Sequence, residues 1–324
     1  MNLLTICKDA GKIGISGHIR PDGDCVGSTL AVYGYLKKAC KGASVDLFLE
    51  APSDVFSYLK GFDEIKSAND AEETEEIYDV FISLDASDKE RLGDALKYFE
   101  TAKTTVCIDH HISNQGFGEH RFIVPEASSA SELAYEVMEP EYIDADIAKA
   151  VYTGIIHDTG VFQYSNTSKR TLEIAGELIS YGFDFSAIID ETFYQKTYVQ
   201  NQILGRAVLE SILFMDGRCI ASVVDRKMME FYHVTPKDLE GIVNQLRLTK
   251  GVSCAIFMYE TDVLEYKVSM RSDDTVNVAE IAALFGGGGH KKAAGCTMNG
   301  TFHDVLNNIS LHIERQLKAQ EKDT

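Results

Sequence analysis

The first half of the chain alternates short apolar runs with longer stretches of helical periodicity. Apolar strands are predicted at residues 12–17, 44–49, 79–84 and 104–108. Helices are predicted at residues 24–39, 53–59, 88–99, 129–138, 145–157, 167–181 and 185–192. Because the strands do not alternate between apolar and polar positions, we expect an α/β fold, with a parallel sheet and helices on both of its faces.

The pattern changes after about residue 195. Runs 208–214 and 218–224 flank Asp216-Gly217, a residue pair typical of a tight hairpin, and residues 252–259 and 264–271 predict a second hairpin. A helix at 276–285, a strand at 295–298 and a helix from 302 to about 318 complete a smaller α+β domain, for which we expect an antiparallel sheet. The predicted boundaries are residues 1–193 for the first domain, 194–205 for a linker and 206–324 for the second domain.

The composition is that of an ordinary globular protein, with 45% apolar and 25% charged residues in a chain of 324. No run approaches the roughly 18–20 apolar residues that span a bilayer, and charged residues come too early for a signal peptide. The seven cysteines are odd in number and include no C-x-x-C pair, which indicates buried reduced thiols. We therefore expect a cytoplasmic protein, with the acidic run at residues 70–76 solvated and the end of the chain frayed.

The net charge of −19 limits the substrates. Proteins that hold long nucleic acids usually have a basic surface, because phosphate neutralisation supplies most of the non-specific affinity. A short phosphorylated ligand needs only local positive charge. The charge thus argues against a processive nuclease and leaves a phosphoesterase open.

Four segments carry Asp and His residues to one predicted edge of the sheet. They contain His18, Asp22 and Asp24 after the first strand, Asp85 after the third, Asp109-His110-His111 after the fourth, and Asp158 at the end of a helix. The carboxyl ends of parallel strands form the usual site of open α/β sheets, so these side chains should converge. Crowded carboxylates repel one another unless cations neutralise them. A mixed Asp and His set without thiolates favours Mn²⁺, and two such ions could polarise a phosphoryl group and acidify a water molecule.

The same residues resemble the four motifs of the DHH phosphoesterase superfamily, and GGGGHKKAAG at residues 286–295 resembles the signature of its associated C-terminal domain. The order and spacing are similar to those of the stand-alone, NrnA-like group. That resemblance implies hydrolysis of short RNA of 2–5 nucleotides (nanoRNA) to mononucleotides and removal of the 3′-phosphate of pAp, in a homodimer. It also implies an active-site cleft between the two domains.

The resemblance further implies a role for each matching residue. His18 and Asp22 would bind a first metal ion, Asp24, His110 and Asp158 a second, and Asp85 both. The ions would be two Mn²⁺, with Mg²⁺ or Co²⁺ as substitutes. Asp109 would orient an imidazole, and His111 would face the scissile phosphate as charge stabiliser or proton donor. In the second domain the substrate-binding residues would be Arg271, Gly287, Gly288, Gly289 and His290, with the glycines forming a backbone nest for an anion.

The same residues also have structural interpretations. Asp22 or Asp24 could cap a helix, the glycine run could be a flexible loop, and Arg271 could be a solvated strand end. Asn114 is predicted to form a turn, and His157 to be a helix-end residue outside the site. The absence of a C-x-x-C pair, and of cysteines from the Asp and His motifs, argues against a structural zinc site.

Several functions compete within and beyond the superfamily. The C-terminal signature argues against a family-type pyrophosphatase, and the length and charge argue against a RecJ-type exonuclease. A soluble phosphodiesterase for cyclic di-AMP or linear pApA remains an alternative, as does a catalytically inactive nucleotide-binding regulator. Editing of mischarged tRNA is a more distant third class. The sequence does not rank these substrates, the direction of attack or the native metal.

Overall fold

The computed structural model describes residues 1–69 and 77–320 and forms two compact units, Met1–Gln195 and a second that begins at Lys196. The acidic run at residues 70–76 and the last four residues of the predicted frayed tail lie outside the described residues.

The first unit is built on a five-stranded sheet in the order β2-β1-β3-β4-β5, in which every pair is parallel. The strands are β1 (Lys12–Ser16), β2 (Ser44–Phe48), β3 (Val80–Leu84), β4 (Thr104–Asp109) and β5 (His120–Ile123). The first four follow the prediction. The sequence does not predict β5, because its four side chains are only partly buried and form no apolar run.

Seven α-helices accompany this sheet in the described part of the first unit. They are α1 (Leu3–Cys7), α2 (Gly23–Ala39), α3 (Leu96–Thr101), α4 (Ala130–Val137), α5 (Ala145–Asp158), α6 (Lys169–Ile179) and α7 (Phe185–Ile189). Two predicted helices are largely 3₁₀ instead, at Asp54–Phe56 and Lys89–Ala95. In the second of these, Gly93 has a non-helical backbone (φ 55°), which interrupts the predicted α-helix.

Both faces of the sheet are covered, as predicted. Ile82 lies in the large apolar cluster that includes α2, α4 and α5, whereas its neighbour Phe81 lies in a second cluster with Tyr98 and Phe99 of α3. Consecutive residues of one strand thus enter opposite cores, which explains why β3 is buried at all five positions.

Helices α2 and α5 touch along their backbones. A Cβ on Gly27 would lie 2.6 Å from the carbonyl oxygen of Ala150 and 2.7 Å from the amide nitrogen of Gly154. Only a glycine at position 27 permits this approach. The contact brings the first turn of α2, with Asp22 and Asp24, close to the end of α5, with Asp158.

The second unit contains a six-stranded sheet in the order β10-β11-β9-β8-β7-β6. Its strands are β6 (Ile212–Phe214), β7 (Cys219–Val224), β8 (Cys254–Asp262), β9 (Glu265–Ser272), β10 (Gly288–His290) and β11 (Ala293–Asn299). Its helices are α8 (Tyr198–Leu209), α9 (Arg226–Tyr232), α10 (Ile242–Arg247), α11 (Val278–Leu284) and α12 (Phe302–Gln320).

The expectation of a purely antiparallel second sheet is wrong, because β7 and β8 pair in parallel. Helices α9 and α10, which the sequence pattern did not predict, form the crossover between these two strands. Parallel neighbours need such a long connection, whereas the two hairpins, β6–β7 and β8–β9, are antiparallel.

Helix α8 begins inside the predicted linker at residues 194–205. Thr197 and Gln200 form a reciprocal capping box that starts the helix, and Ile203 and Ala207 are buried in the core of the second unit. Most of this stretch is therefore a packed helix rather than an extended connection. Among the described residues, no helix is long and apolar enough to cross a membrane.

Candidate active site

The Asp and His residues singled out from the sequence meet at the carboxyl ends of the central strands of the first unit. His18 follows β1 by two residues, Asp85 follows β3 directly, and Asp109 ends β4. Asp22 is the N-cap of α2, and Asp158 is the last residue of α5.

Asp85 occupies the centre of this cluster. Its carboxylate is almost completely buried, with Oδ2 3.4 Å from Nε2 of His18 and Oδ1 3.5 Å from Nε2 of His110. Its backbone has φ 55°, a costly conformation for a residue other than glycine, while its amide still donates to the carbonyl of Ile108. One carboxylate therefore faces two separate imidazoles.

The first group of donors is His18, Asp22 and one oxygen of Asp85. The Nδ1 atom of His18 lies 2.8 Å from the carbonyl oxygen of Ile19, to which it can donate, so that Nε2 faces the carboxylates. Asp22 lies 3.7 Å from this Nε2 and also accepts the amides of Asp24 and Cys25. The helix-cap interpretation of Asp22 is thus correct, and it is compatible with a place in the cluster.

The second group is Asp24, His110 and Asp158. Nε2 of His110 lies 3.9 Å from Asp24 and 3.7 Å from Asp158. Asp24 is buried, and its two oxygens accept the backbone amides of Ala130 (2.6 Å) and Ser131 (2.9 Å) at the start of α4. The positive end of a helix stabilises a carboxylate in this position.

The acid–base properties of the cluster reflect its crowding. Burial and the neighbouring carboxylates of Asp85 and Asp158 raise the pKa of Asp24 well above its usual range. Burial lowers the pKa of His18, but Asp22 and Asp85 outweigh burial and raise it to about 10. The pKa of His110 is also raised to about 10, because Asp85, Asp24 and Asp158 outweigh burial in the same way. The carboxylates together bind positive charge strongly.

The donor set is chemically suited to divalent cations. Nitrogen and oxygen ligands sit roughly 2.0–2.2 Å from such an ion, so two ligands of one ion lie about 3–3.5 Å apart. The donor pairs here are 3.4–3.9 Å apart, close to that spacing and long for hydrogen bonds. Three sets of possible ligands occur among the described residues: His18, Cys25 and Asp85; Asp85, His110 and His111; and Asp24, His110 and Asp158. Burial raises the pKa of the Cys25 thiol well above its usual range, which disfavours a thiolate ligand.

Asp109 and His111 form a separate hydrogen-bonded pair beside the cluster. Nδ1 of His111 donates to Asp109 at 2.7 Å, which leaves Nε2 on the far side of a ring that is 41% exposed. The other oxygen of Asp109 accepts the amide of Asn114 at 2.7 Å, and this amide also reaches the carbonyl of Ala86. Burial raises the pKa of Asp109, but His111 and Asn114 outweigh burial and lower it, so the carboxylate stays charged.

Asn114 therefore belongs to the cluster through Asp109, a role that the sequence interpretation, which weighed substrate contact and preferred a turn, did not include. It does shape a turn, since its Oδ1 accepts the amide of Gly116, but its amide group fixes the carboxylate of Asp109. Its position five residues after Asp109 is the signal that could have indicated this role.

His157, next to Asp158, turns away from the cluster as predicted. Its Nε2 lies 3.1 Å from the hydroxyl of Thr192, its ring contacts Phe56 and Phe193, and burial lowers its pKa to about 4. A Cβ on Gly23 would lie 2.2 Å from this ring, so His157 packs against the backbone between Asp22 and Asp24.

In the second unit, Arg271 and His290 share one row of neighbouring strands. Arg271 on β9 pairs with Ala293 on β11, which pairs with His290 on β10, so the three side chains project from the same face. The guanidinium donates to Oδ1 of Asn244 and to the carbonyl of Met270. Gly288 lies two residues from His290, so a side chain at this position would point to the same face. A Cβ added there would meet no atom within 4 Å.

The glycine run does not provide the expected nest at its start. The amides of Gly286 and Gly287 donate to the carbonyls of Ala283 and Ala282 at the end of α11. A Cβ on Gly287 or Gly289 would lie 2.1 Å or 2.4 Å from carbonyl oxygens of the β11 region, so these glycines allow β10 to approach β11. The physical reason is that helix termination and strand pairing use the backbone groups first.

Comparison with known proteins assigns both units to domain families. The model of the DHH family, N-terminal domain, matches residues 12–155, and the DHHA1 domain matches residues 216–319. The fold and the Asp and His cluster agree with these matches. The chain therefore contains a DHH domain followed by a DHHA1 domain.

Several characterised relatives are similar over most of the chain. It is 28% identical over 299 residues to the bifunctional oligoribonuclease and PAP phosphatase NrnA of Thermus thermophilus, covering 90% of this chain and 85% of that protein. It is 27% identical to the protein of the same name from Bacillus subtilis, with 87% of each covered.

Solved structures share the fold. An exopolyphosphatase-related protein from Bacteroides fragilis superposes with a TM-score of 0.86 at 25% identity, covering 98% of this chain and 96% of that chain. RecJ from Thermus thermophilus, crystallised with Mn²⁺, has a TM-score of 0.54 at 13% identity and covers 98% of this chain but 54% of its own.

Proposed function

We propose that the protein is a metal-dependent phosphoesterase that hydrolyses short oligoribonucleotides to mononucleotides and converts pAp and water to AMP and phosphate. The observation that carries the proposal is the placement of Asp85 between His18 and His110, with one oxygen toward each. The similarity to bifunctional oligoribonucleases and PAP phosphatases over about nine tenths of the chain supports the same substrates.

The six converging side chains would hold two Mn²⁺ ions, with Mg²⁺ or Co²⁺ as substitutes. When bound, the two ions would polarise the phosphoryl group and acidify a water molecule that attacks phosphorus. His18 and Asp22 would hold one ion, and Asp24, His110 and Asp158 would hold the other. Asp85 would contribute to both. The Mn²⁺ in the RecJ crystal and the mixed nitrogen and oxygen donors here support this assignment.

His111 acts on the leaving group. Asp109 raises the pKa of His111 and fixes the Nδ1 side of its ring, so Nε2 is free to donate a proton to the departing oxygen. The same proton stabilises the charge that develops there. Asn114 holds Asp109 in place for this purpose.

The second unit supplies substrate recognition. Arg271 offers a planar fork of donors to a phosphate, and His290 adds a donor in the same row of strands. Gly288 on this face would allow a nucleotide to lie close to the backbone, while Gly287 and Gly289 would hold β10 against β11 beside it. We extend the proposal to a cytoplasmic homodimer on the family resemblance alone. A mass equal to that of one chain, measured by light scattering, would contradict the dimer.

A substrate panel with Mn²⁺ tests the activity. It contains a di-, a tri- and a pentanucleotide, pAp, pApA and cyclic di-AMP. We expect mononucleotides from the oligonucleotides and AMP with phosphate from pAp. Turnover of cyclic di-AMP alone would replace the proposal by that phosphodiesterase activity, and no turnover at all would favour a nucleotide-binding regulator.

Two isosteric variants of one loop test the site itself. Asp85→Asn removes the shared charge and should lower kcat by about 100-fold or more, since metal-assisted charge stabilisation is worth several kcal/mol. The control is Asp88→Asn, which changes a helix cap that accepts the amide of Arg91 and that asparagine also satisfies. Equal losses in both variants would contradict the assignment.

A further inference from the structure

Asn166 lies in the segment that follows Asp158 and precedes α6, and its side-chain amide meets three oxygen atoms. Its Nδ2 is 2.9 Å from the carbonyl oxygen of Ser128, 3.2 Å from that of Asp158, and 3.3 Å from Oδ2 of Asp158. A rotated amide would place Oδ1 against these three acceptors. The contacts therefore require a donor, and they fix the orientation of the group.

Ser128 connects Asn166 to the other side of the cluster. The residues that follow it, Ala130 and Ser131, give their backbone amides to the two oxygens of Asp24. Asn166 thus contacts Asp158 directly and reaches Asp24 through two residues of main chain. Both carboxylates face Nε2 of His110.

A second set of hydrogen bonds links the stretch from Ser128 to Glu132 with the chain beyond Asp158. The buried carboxylate of Glu132 accepts the hydroxyls of Ser128 (2.5 Å) and of Thr171 in α6 (2.7 Å). The stretch from Ser128 to Glu132 is therefore attached at both ends to the chain beyond Asp158. These buried hydrogen bonds restrict how far the Ser128–Glu132 stretch can move relative to the chain beyond Asp158.

We infer that Asn166 is a positioning residue for the second cation site, which sets the separation between Asp24 and Asp158. The inference rests on the proposed function, because that function assigns these carboxylates to the second ion. Metal sites tolerate ligand displacements of only about 0.2 Å, and hydrogen-bond partners of ligands typically contribute 10–100-fold in metal affinity. Asn166 touches neither the substrate nor the ions, and it acts through the ligands.

Calorimetric titration of the metal-free full chain with Mn²⁺ tests the inference without measuring activity. In Asn166→Ala and Asn166→Asp, the first ion should bind within about 3-fold of wild type, and the second about 10–100-fold more weakly. The aspartate should be the worse of the two, because it places a second carboxylate against Asp158. In turnover assays, excess Mn²⁺ should restore kcat while KM for the substrate stays unchanged.

Asn2→Asp is the matched control. Like Asn166, Asn2 donates its side-chain amide to a carboxylate, that of Glu139, at 2.9 Å. It caps α1 and lies outside the cluster. Its variant should bind both ions as wild type does. Wild-type affinity for the second ion in both Asn166 variants would overturn the positioning role. A wild-type chain that bound no Mn²⁺ would instead refute the proposed function, and the positioning role with it.

Discussion

At the scale of single residues, the site combines charge with unusual restraint of the side chains that carry it. Asp24 accepts two helix-terminal amides, Asp22 caps α2, and Asp109 accepts both His111 and Asn114. Each carboxylate therefore has part of its hydrogen-bonding capacity fixed by the fold. The remaining lone pairs are oriented before any ligand binds, which reduces the reorganisation that catalysis requires.

The Asn114 amide offers a test of this restraint. Asn114→Ala removes the donor that fixes one oxygen of Asp109, so His111 should lose its orientation, and kcat should fall by about 10-fold with KM nearly unchanged. Initial rates on a dinucleotide measure both constants. Ser113→Ala changes an exposed neighbour and should have no effect, while a rise in KM alone would contradict the role of Asn114.

The raised pKa values predict how metal removal changes stability. The pKa of His18 and of His110 rises from 6.5 to about 10 in the fold without cations. Their protonation therefore stabilises the metal-free fold fully below pH 6.5, and that contribution is lost as the pH rises toward 10. Bound cations take over the charge balance, so stabilisation by Mn²⁺ should grow across this window.

Melting temperatures with Mn²⁺ and with a chelator, compared at about pH 6.5 and about pH 8.5, measure this effect. The difference between the two melts cancels the titration of the rest of the chain. We expect a larger difference at the higher pH. An equal or smaller difference there would show that these imidazoles do not share their sites with the cations.

At the scale of elements, the close packing of α2 on α5 decides where two of the predicted ligands lie. These helices carry Asp24 and Asp158, and their contact at Gly27 and Gly154 leaves no room for a Cβ. A Cβ on Gly154 would also lie 2.7 Å from an oxygen of Asp24. The packing of these two helices therefore also sets the positions of the carboxylates of Asp24 and Asp158.

Two glycine-to-alanine variants separate packing from helix propensity. Gly27→Ala should lower the free energy of unfolding by about 1–3 kcal/mol, because the added methyl group forces two backbones apart. Gly176→Ala, in α6 with no atom near the added Cβ, should raise it by about 0.5–1 kcal/mol. Urea unfolding of both variants measures this, and the same sign for both would refute the packing argument.

At the scale of the whole molecule, charge limits which substrates the protein can use. The chain has 50 acidic and 31 basic residues, so a long polyanion gains little from its surface. A short nucleotide needs only the local groups of the site. We therefore expect the acidic surface to select against long strands.

Rates on RNA of increasing length test this expectation. A strand of about 20 nucleotides should be hydrolysed at least about 10-fold more slowly than a tri- or pentanucleotide, because each added phosphate adds repulsion. End-labelled substrates at equal concentration give the initial rates. Equal rates at all lengths would show that the surface charge has no role in selection.

The sequence by itself determined the apolar strands of the first sheet and the Asp and His residues at their ends. This was possible because strands of a parallel sheet deliver their carboxyl ends to one edge, whatever their order. The proximity of the six predicted ligands could therefore be predicted without knowing that β1 lies between β2 and β3. Their roles as ligands stay a prediction.

Only the tertiary structure decided the contacts that hold those residues in place. Asp24 meets Ala130, which is 106 residues away in the chain, and Asn166 meets Ser128 at a distance of 38 residues. The parallel pairing of β7 with β8 likewise depends on a crossover that carries no local signal. Local patterns describe which face of an element is apolar, whereas hydrogen bonds between distant segments depend on how the elements pack.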